Sequence, residues 1–306
     1  MPLQIYPIQH SALIMTQSHF SIPELRLVLT EALILHEHAD EKRVARLEAR
    51  LRADGYLKNP PIVAPIPGTD QYVVLDGANR TSAVRRTGYP HILVQIVDYK
   101  SNQVQLNTWN HLVTGRAPAT FLSEIRSVEG LVVEPASSSE ARARLKARSI
   151  VAYVVTPSPS GEIGSTISSV NGLLSNANHT AHTSTGLLNA MVDTYKSDPS
   201  VVIHRVNTDD LDELGDYYDN VSGLVVFPPY TPDDILTLAG AGTKVPTGIT
   251  RHVISPRALR VNVPIALLSS DESLEAKNAW WHEQTKRKLA ANEIRLYQEA
   301  TYLFDE

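Results

Sequence analysis

The stretch "YVVLDGANRTSAVRRTGY", from Tyr72 to Tyr89, contains the pattern that decides the fold. Its apolar start predicts a strand, and the polar turn after Leu75 leads into a helix that Gly88 ends. Thr81 or Asn79 is expected to cap this helix. A strand-to-helix turn directs free backbone N–H groups and the positive end of the helix dipole toward one point. The turn therefore has the geometry of a phosphate site.

The side chains of the turn suit the same ligand. Gly77 lets the backbone approach a ligand closely, and Arg80 offers a planar fork of donors to phosphate oxygens. Asp76 can hold a magnesium ion that bridges phosphates. The alternative is a plain strand-to-helix turn, in which Asp76 and Asn79 satisfy local N–H groups and Arg80 lies on the surface.

The residues on either side of the turn predict a compact unit of helices and strands. Before it, "DEKRVARLEARLRADG" predicts a helix that Asp40 caps and Gly55 ends. Asn59-Pro60-Pro61 then breaks the chain, and residues 68–70 form a hairpin-type turn. After it, "HILVQIVDY" predicts a buried strand. The segment "VQLNTWNHLVTG", from Val104 to Gly115, is expected to be helical.

Strands and helices alternate along the whole chain, which predicts an α/β (α+β) fold. The pattern of residue types along the sequence changes near Gly115-Arg116-Ala117-Pro118. We therefore expect two domains, residues 1–116 and residues 117–306. The last 35 residues are expected to be largely helical, and the helix that contains Trp280-Trp281 is expected to dock on the protein body or to support a homo-oligomer.

Composition excludes several classes of function. The 306 residues contain 28 Lys and Arg against 33 Asp and Glu, and the net charge of −5 argues against a nucleic-acid partner. The absence of cysteine excludes disulfides, thiolate nucleophiles and cysteine zinc sites. No secretory signal pattern is present, and no apolar segment approaches the roughly 20 residues that span a bilayer. A soluble cytoplasmic protein without a membrane partner is expected.

Residues 33–111 resemble the ParB/sulfiredoxin superfamily, in which a helix, an Asn-Pro-Pro strand entry and a D-G-x-x-R turn build a nucleotide-phosphate site. The resemblance implies a ParB/sulfiredoxin-like nucleotide-binding domain at the N-terminus, followed by a larger mixed α/β domain that contributes to the substrate pocket. Sulfiredoxins place a cysteine after the turn glycine, where this chain has Ala78. ParB proteins follow the turn with a basic DNA-reading pair of helices, which the next segment does not resemble.

Three segments are similar to the free L-serine kinases, which phosphorylate the amino acid to O-phospho-L-serine. They are "LHEHADEKR", the D-G-x-x-R turn with Trp109 downstream, and "GITRHVISPRALRVNVPIALL", from Gly248 to Leu268. The resemblance implies Glu37 as the catalytic base and Asp76 as a catalytic residue and metal ligand. It implies ATP or ADP with Mg²⁺, and L-serine as the substrate. The nucleotide phosphates would contact Gly77, Asn79, Arg80 and Thr81, and L-serine would contact Trp109, Thr250, Arg251 and His252.

Each of these roles has a structural alternative. Glu37 could serve only as a helix-start carboxylate, Arg251 and His252 could form an exposed strand pair, and Trp109 could belong to the core. The kinases often have histidines between the glycine and arginine of the turn, where this chain has Ala78 and Asn79. Two other functions therefore stay open: a ParB-like nucleotide-binding regulator or DNA-associated switch, and a kinase or nucleotide hydrolase acting on another small hydroxyl compound.

Overall fold

The structure, a computed structural model, describes residues 22–158, 165–172, 181–214 and 217–297. Within them the helices are α1 Glu41–Asp54, α2 Ala78–Thr87, α3 Pro118–Arg126, α4 Ser138–Lys146, α5 Ala181–Lys196, α6 Pro232–Gly240, α7 Ile265–Ser269 and α8 Leu274–Ala290. The strands are β1 Glu24–Leu29, β2 Leu33–Leu35, β3 Tyr56–Leu57, β4 Ile62–Pro65, β5 Tyr72–Asp76, β6 His91–Ile96, β7 Val104–Thr108, β8 Asn110–Thr114, β9 Leu131–Pro135, β10 Ala152–Pro157, β11 Ser165–Gly172, β12 Val202–Val206, β13 Val221–Val226, β14 Thr250–Ile254 and β15 Val263–Pro264. The predicted α/β class is confirmed.

Two larger sheets organise these elements. The first has the strand order β1-β6-β4-β5-β2 and mixes antiparallel and parallel neighbours. The second has the order β12-β8-β13-β10-β11-β9, with every neighbouring pair antiparallel. Two short ladders, β14-β7 and β15-β3, connect the C-terminal part of the chain to the N-terminal part.

The first sheet is buried on both faces, because its strand β5 carries apolar side chains on both sides. Val73 and Leu75 of β5 lie in a core that also contains Val113 and Phe121 from the second half of the chain. Val74, which points the other way, lies in a second core that α1, α2, α7 and α8 cover. A strand that is buried on both faces has apolar residues at consecutive positions, as the sequence of β5 does.

The helices begin and end largely where local signals predict. The Asp40 side chain accepts a hydrogen bond from the Arg43 N–H, and Gly55 ends α1 in the left-handed conformation. Gly88 ends α2 in the same way. The C-terminal helix is shorter than expected, because α8 ends at Ala290 and residues 291–297 are not helical.

The expected helix over 104–115 is wrong, because that segment forms β7 and β8. β8 is fully buried between β12 and β13. The sequence "NHLVT" can fill either a buried helix turn or a central strand, and long-range pairing decides between them.

The predicted division at residues 116/117 stays a prediction. In the structure β8, which precedes that boundary, belongs to the second sheet, and α8 packs against β1 of the first sheet. Within the described ranges, every helix is too short or too polar to cross a lipid bilayer.

Candidate active site

The turn after β5 is the first wall of the site. α2 begins at Ala78 with Gly77 as its N-cap, so the expected cap at Thr81 or Asn79 is wrong. Gly77 has a φ of +97°, a conformation that glycine adopts without strain. Ala78, Asn79 and Arg80 therefore form the first helical turn, whose backbone N–H groups have no partner within the helix. These groups and the positive helix end are the elements that bind phosphate.

Arg80 holds this turn against the strand entry that precedes β4. Its Nη1 donates to the Asn59 carbonyl oxygen at 2.9 Å, and its Nη2 donates to Asp76 Oδ2 at 3.2 Å. A Cβ atom on Gly77 would lie 3.1 Å from Pro61 Cα, so the glycine also permits this close packing. Arg80 is therefore not a free surface residue, and much of its donor capacity is used inside the protein.

Asp76 lies between two arginines. Arg80 approaches it from the turn, and Arg257, from the segment after β14, donates to the same Oδ2 atom. Arg257 lies within the kinase-like segment of the sequence, but nothing in the local pattern distinguished it from its neighbours.

Asn79 connects the turn to the start of α1. Its side-chain Oδ1 accepts a hydrogen bond from the Asp40 backbone N–H at 2.8 Å. This bond satisfies a local N–H group, as the plain-turn alternative predicted for Asn79. The amide NH₂ group still has two donors.

These residues line one wide cleft of about 970 Å³. Its carboxylates are Glu37, Asp40 and Asp76. Its arginines are Arg43, Arg46, Arg50, Arg80, Arg205 and Arg257. In a chain with a net charge of −5, this concentration of arginine creates a local positive field suited to a polyanion.

Glu37 enters the cleft from the end of β2, and a distant segment fixes its position. The Gly248 N–H donates to Glu37 Oε2 at 3.0 Å. On either side of Glu37, the Val245 N–H donates to the His36 carbonyl at 2.8 Å and the Thr247 hydroxyl donates to the His38 carbonyl at 2.8 Å. Segment 244–248 therefore holds the backbone and carboxylate of Glu37 together.

His36 connects Glu37 to β14. Its Nδ1 lies 2.6 Å from the Val74 carbonyl oxygen, so Nδ1 carries the proton and Nε2 accepts from the Thr250 hydroxyl at 2.9 Å. Burial lowers the pKa of His36, which keeps the ring neutral. His36 was noted in the sequence only as a neighbour of Glu37.

His252 packs edge-to-face against His36, with ring centroids 5.3 Å apart. The Tyr99 hydroxyl lies 2.7 Å from His252 Nε2. Burial, with a smaller contribution from His36, lowers the pKa of His252 to about 3. Burial also raises the pKa of Tyr99, so the hydroxyl keeps its proton and donates to Nε2, which leaves His252 Nδ1–H as a donor.

Arg251 and Trp109 form a stacked pair. The Arg251 guanidinium carbon lies over the Trp109 ring, 4.2 Å from its centroid, which is a cation–π arrangement. The ladder between β14 and β7 places Arg251 opposite Asn107, close to Trp109. Both side chains are half-buried.

The predicted residues thus form two connected groups. Glu37, Asp76, Gly77, Asn79 and Arg80 line the cleft. The β14 group of Thr250, Arg251 and His252, with Trp109, is connected to the cleft through His36.

Thr81 lies outside both groups. Its side chain is fully buried, and its hydroxyl has no hydrogen-bond partner among the described residues. The fold therefore does not present it to a ligand in the cleft.

The site fits a magnesium ion that binds together with phosphate groups. Among the described residues no group of three or more acidic or histidine side chains could hold a metal by itself. Mg²⁺ is commonly held by one or two carboxylates together with substrate phosphates and water. Asp76 supplies one such carboxylate directly before the start of α2, so the donor set fits a metal that arrives with a polyphosphate.

The fold and the site define an α/β protein whose cleft is lined by six arginines beside a strand-to-helix turn. Comparison with known proteins makes this class more specific. No family model matches the chain. An ATP-dependent L-serine kinase of Staphylothermus marinus is 36% identical over 108 residues, which are 35% of this chain and 42% of that protein. The chain therefore spans less than half the length of this relative.

Two further proteins match over most of the chain. The ATP-dependent L-serine kinase SbnI of Staphylococcus aureus is 24% identical over 284 residues, 92% of this chain and 97% of that protein. The solved structure of a free serine kinase variant in complex with AMP has a TM-score of 0.67 at 16% identity, covering 81% of this chain and 95% of that one. The chain has the free serine kinase fold, and the resemblance inferred from the three sequence segments is confirmed.

Proposed function

We propose that this protein is a free L-serine kinase, which transfers a phosphoryl group from ATP or ADP to the hydroxyl of L-serine. The observation that carries the proposal is the convergence of Glu37 and the Asp76–Arg80 turn in one cationic cleft. The named activities of the relatives and the shared fold support it.

The reaction needs alignment, charge neutralisation and a base. The serine Oγ–P bond forms as the bond between the transferred phosphorus and the leaving oxygen of the nucleotide breaks. The hydroxyl proton goes to the Glu37 carboxylate. The Gly248 N–H holds one oxygen of that carboxylate, which leaves the other to face the hydroxyl.

The nucleotide phosphates would bind at the start of α2. The free N–H groups of residues 78–80 and the Asn79 amide are the donors. A magnesium ion, when bound with the nucleotide, would neutralise phosphate charge with Asp76 as its protein ligand. Because Arg80 is anchored to Asn59, its contribution is to fix the turn and to add positive charge.

The base of the nucleotide has an adjoining apolar cleft between α1 and α2. Leu47, Arg50, Asn59 and Arg80 line both this cleft and the phosphate cleft. Its other walls include Leu57, Val84 and the ring of Tyr56, with the charged side chains of Asp54 and Lys58 also lining it. An aromatic base stacked there would keep its phosphates over the turn.

L-serine would bind beside the β14 group. The Arg251 guanidinium, held over the Trp109 ring, is the partner for the serine carboxylate. His252 is neutral and offers a donor rather than a charge, so it orients the substrate without repelling the ammonium group. His36, which precedes Glu37 in the chain, contacts the Thr250 hydroxyl and so connects the β14 group to Glu37.

The direct test is to incubate the protein with L-serine, Mg²⁺ and either ATP or ADP, and to detect O-phospho-L-serine by ³¹P NMR. Product with one or both nucleotides, and none in the presence of EDTA, is the expected result. L-Threonine and glycerol serve as comparison acceptors, because a kinase for another hydroxyl compound would prefer one of them. No product with any acceptor, together with DNA binding that changes with nucleotide, would favour the regulator instead.

A cytoplasmic location and a homo-oligomer stay predictions.

A further inference from the structure

Arg205 is an arginine of the cleft that neither the sequence pattern nor the proposed mechanism uses. It lies on β12, the edge strand of the second sheet, where it pairs with His111 of β8. Its side chain is exposed and lines the cleft together with Glu37 and Thr247. Residues from the second sheet therefore reach the site that the first sheet builds.

The position of Arg205 is fixed by its contact with Gly248. A Cβ atom on Gly248 would lie 2.4 Å from Arg205 Nε and 2.6 Å from its Cζ, so the guanidinium lies directly against the glycine. Gly248 is also the residue whose N–H donates to Glu37. The guanidinium is therefore at the Glu37 end of the cleft, where the acceptor hydroxyl would be.

Among the residues that the structure describes, Arg205 differs from the two arginines beside Asp76 in having no acidic side chain paired with it. Arg80 and Arg257 both pair with Asp76. Arg205 has no carboxylate partner within the described ranges of the chain. An exposed guanidinium without a counter-ion can bind an anionic ligand without first breaking an ion pair.

We propose that Arg205 is a further catalytic residue, which binds the oxygens of the phosphoryl group during its transfer from the nucleotide to serine. The nucleotide is held at the Asp76–Arg80 turn and the acceptor hydroxyl at Glu37, so the transferred group passes between them. Arg205 donates to its equatorial oxygens while the serine Oγ–P bond forms, the bond to the leaving phosphate oxygen breaks and Glu37 takes the proton. A planar fork beside that path stabilises the charge on the transferred group.

The other free arginines of the cleft are less suited to this role. Arg43, Arg46 and Arg50 lie on the exposed face of α1, and Arg50 also lines the apolar cleft. They are placed to contact the nucleotide rather than the acceptor. The Arg205 proposal rests on the proposed kinase function for its chemistry, but its contact with the terminal phosphoryl can be measured without turnover.

The test compares Arg205→Met, Arg205→Lys and, as a matched control, Arg126→Met. Arg126 is an exposed arginine at the end of α3 and does not line the cleft. For each protein, calorimetry gives two affinities, one for the phosphoryl donor and one for the nucleotide that remains after transfer. If ATP is the donor, the remaining nucleotide is ADP; if ADP is the donor, it is AMP. A kinetic assay gives kcat and the KM for L-serine.

For Arg205→Met we expect the ratio of donor affinity to product affinity to fall by about tenfold or more, the usual effect of losing a charge-assisted hydrogen bond. We also expect kcat to fall by about 100-fold or more, with the KM for serine little changed. Arg205→Lys should recover part of both quantities, and Arg126→Met should match the wild type. The exposed position of Arg205 on an edge strand means that these variants should fold.

An affinity ratio within about twofold of wild type in Arg205→Met would overturn the contact. A reduced ratio with an unchanged kcat would overturn the catalytic role. If the wild type has no kinase activity, the proposed function fails, and the affinity ratio still decides whether Arg205 binds the terminal phosphoryl group.

Discussion

At the residue scale, buried histidines surround the Glu37 carboxylate without carrying charge. His111 is 2% exposed, its Nδ1 lies 3.0 Å from the Tyr195 hydroxyl, and the Gly248 backbone is one of the groups that act on its pKa. Burial, with the nearby positive charge of Arg205, lowers the pKa of His111 to about 3. A neutral His111 ring adds no positive charge close to Gly248, whose N–H donates to Glu37.

This buried histidine predicts a pH dependence of stability. Below an unfolded-state pKa of about 6.5 the unfolded chain binds a proton at His111, whereas the folded protein does not until about pH 3. The free energy of unfolding should therefore decrease as the pH falls from 6.5 toward 3. His111 contributes on the order of 2 kcal/mol to the loss between pH 7 and pH 5.

Urea unfolding of wild type and His111→Gln at pH 7 and pH 5 measures this contribution. The variant should lose less stability than the wild type over that interval, by the amount given above. His282→Gln, at an exposed position of α8, is the control and should keep the wild-type dependence. Equal losses in His111→Gln and the wild type would show that His111 is protonated in the folded protein.

At the element scale, the C-terminal helices are attached to the first sheet by a buried lysine. Lys277 of α8 is fully buried, and its Nζ donates to the Leu268 carbonyl at 3.2 Å, the Ser270 carbonyl at 2.8 Å and His91 Nδ1 at 3.0 Å. One ammonium group thus joins the end of α7, the helix α8 and the strand β6. All three of its donors are used, so its role is structural.

Replacing this lysine should destabilise the whole protein. Lys277→Met keeps the length of the side chain but leaves three buried acceptors without a donor, and we expect a loss of about 3 kcal/mol in the free energy of unfolding. Denaturant unfolding is the measurement. Lys286→Met, at an exposed position of the same helix, should change stability by no more than about 0.5 kcal/mol. A loss equally small in Lys277→Met would mean that the helices dock through their apolar contacts alone.

Elements with strong local signals were predicted well from the sequence, and elements defined by distant partners were not. Asp40, Gly55 and Gly88 mark the ends of α1 and α2 because capping depends on a few neighbouring residues. The strands β7 and β8 were missed, since their pairing partners lie about a hundred residues or more further along the chain.

The same distinction applies to the candidate site. The turn and Glu37 belong to recognisable segments, so the sequence was sufficient to select them as candidates, and both line the same cleft. Arg257 and Arg205 reach the cleft only through the tertiary fold, and no local pattern marks either of them. Thr81 was included because it follows the turn, but the helix begins earlier than expected, at Ala78, and the Thr81 side chain is buried.

At the scale of the whole molecule, the site depends on contacts between the two halves of the chain. The first sheet supplies the turn at Asp76–Arg80 and Glu37, and the segment from Lys244 to Gly248 fixes Glu37 from the other half. α5 holds that segment in turn, because the Asn189 amide donates to the Lys244 carbonyl at 2.7 Å and Lys196 Nζ donates to the Thr247 hydroxyl at 3.1 Å. A shared apolar core lies between the two larger sheets. The larger C-terminal half is therefore needed to complete the site.

The central claim is that Glu37 is the base of a serine kinase whose nucleotide site is built separately by the α2 turn. Glu37→Gln keeps the size of the side chain and can still contact the Gly248 N–H, but it cannot take the hydroxyl proton. The decisive measurement is the rate of O-phospho-L-serine formation by Glu37→Gln, together with its nucleotide affinity. We predict a kcat reduced by about 100-fold or more with nucleotide affinity close to wild type. Wild-type turnover in this variant would contradict the account.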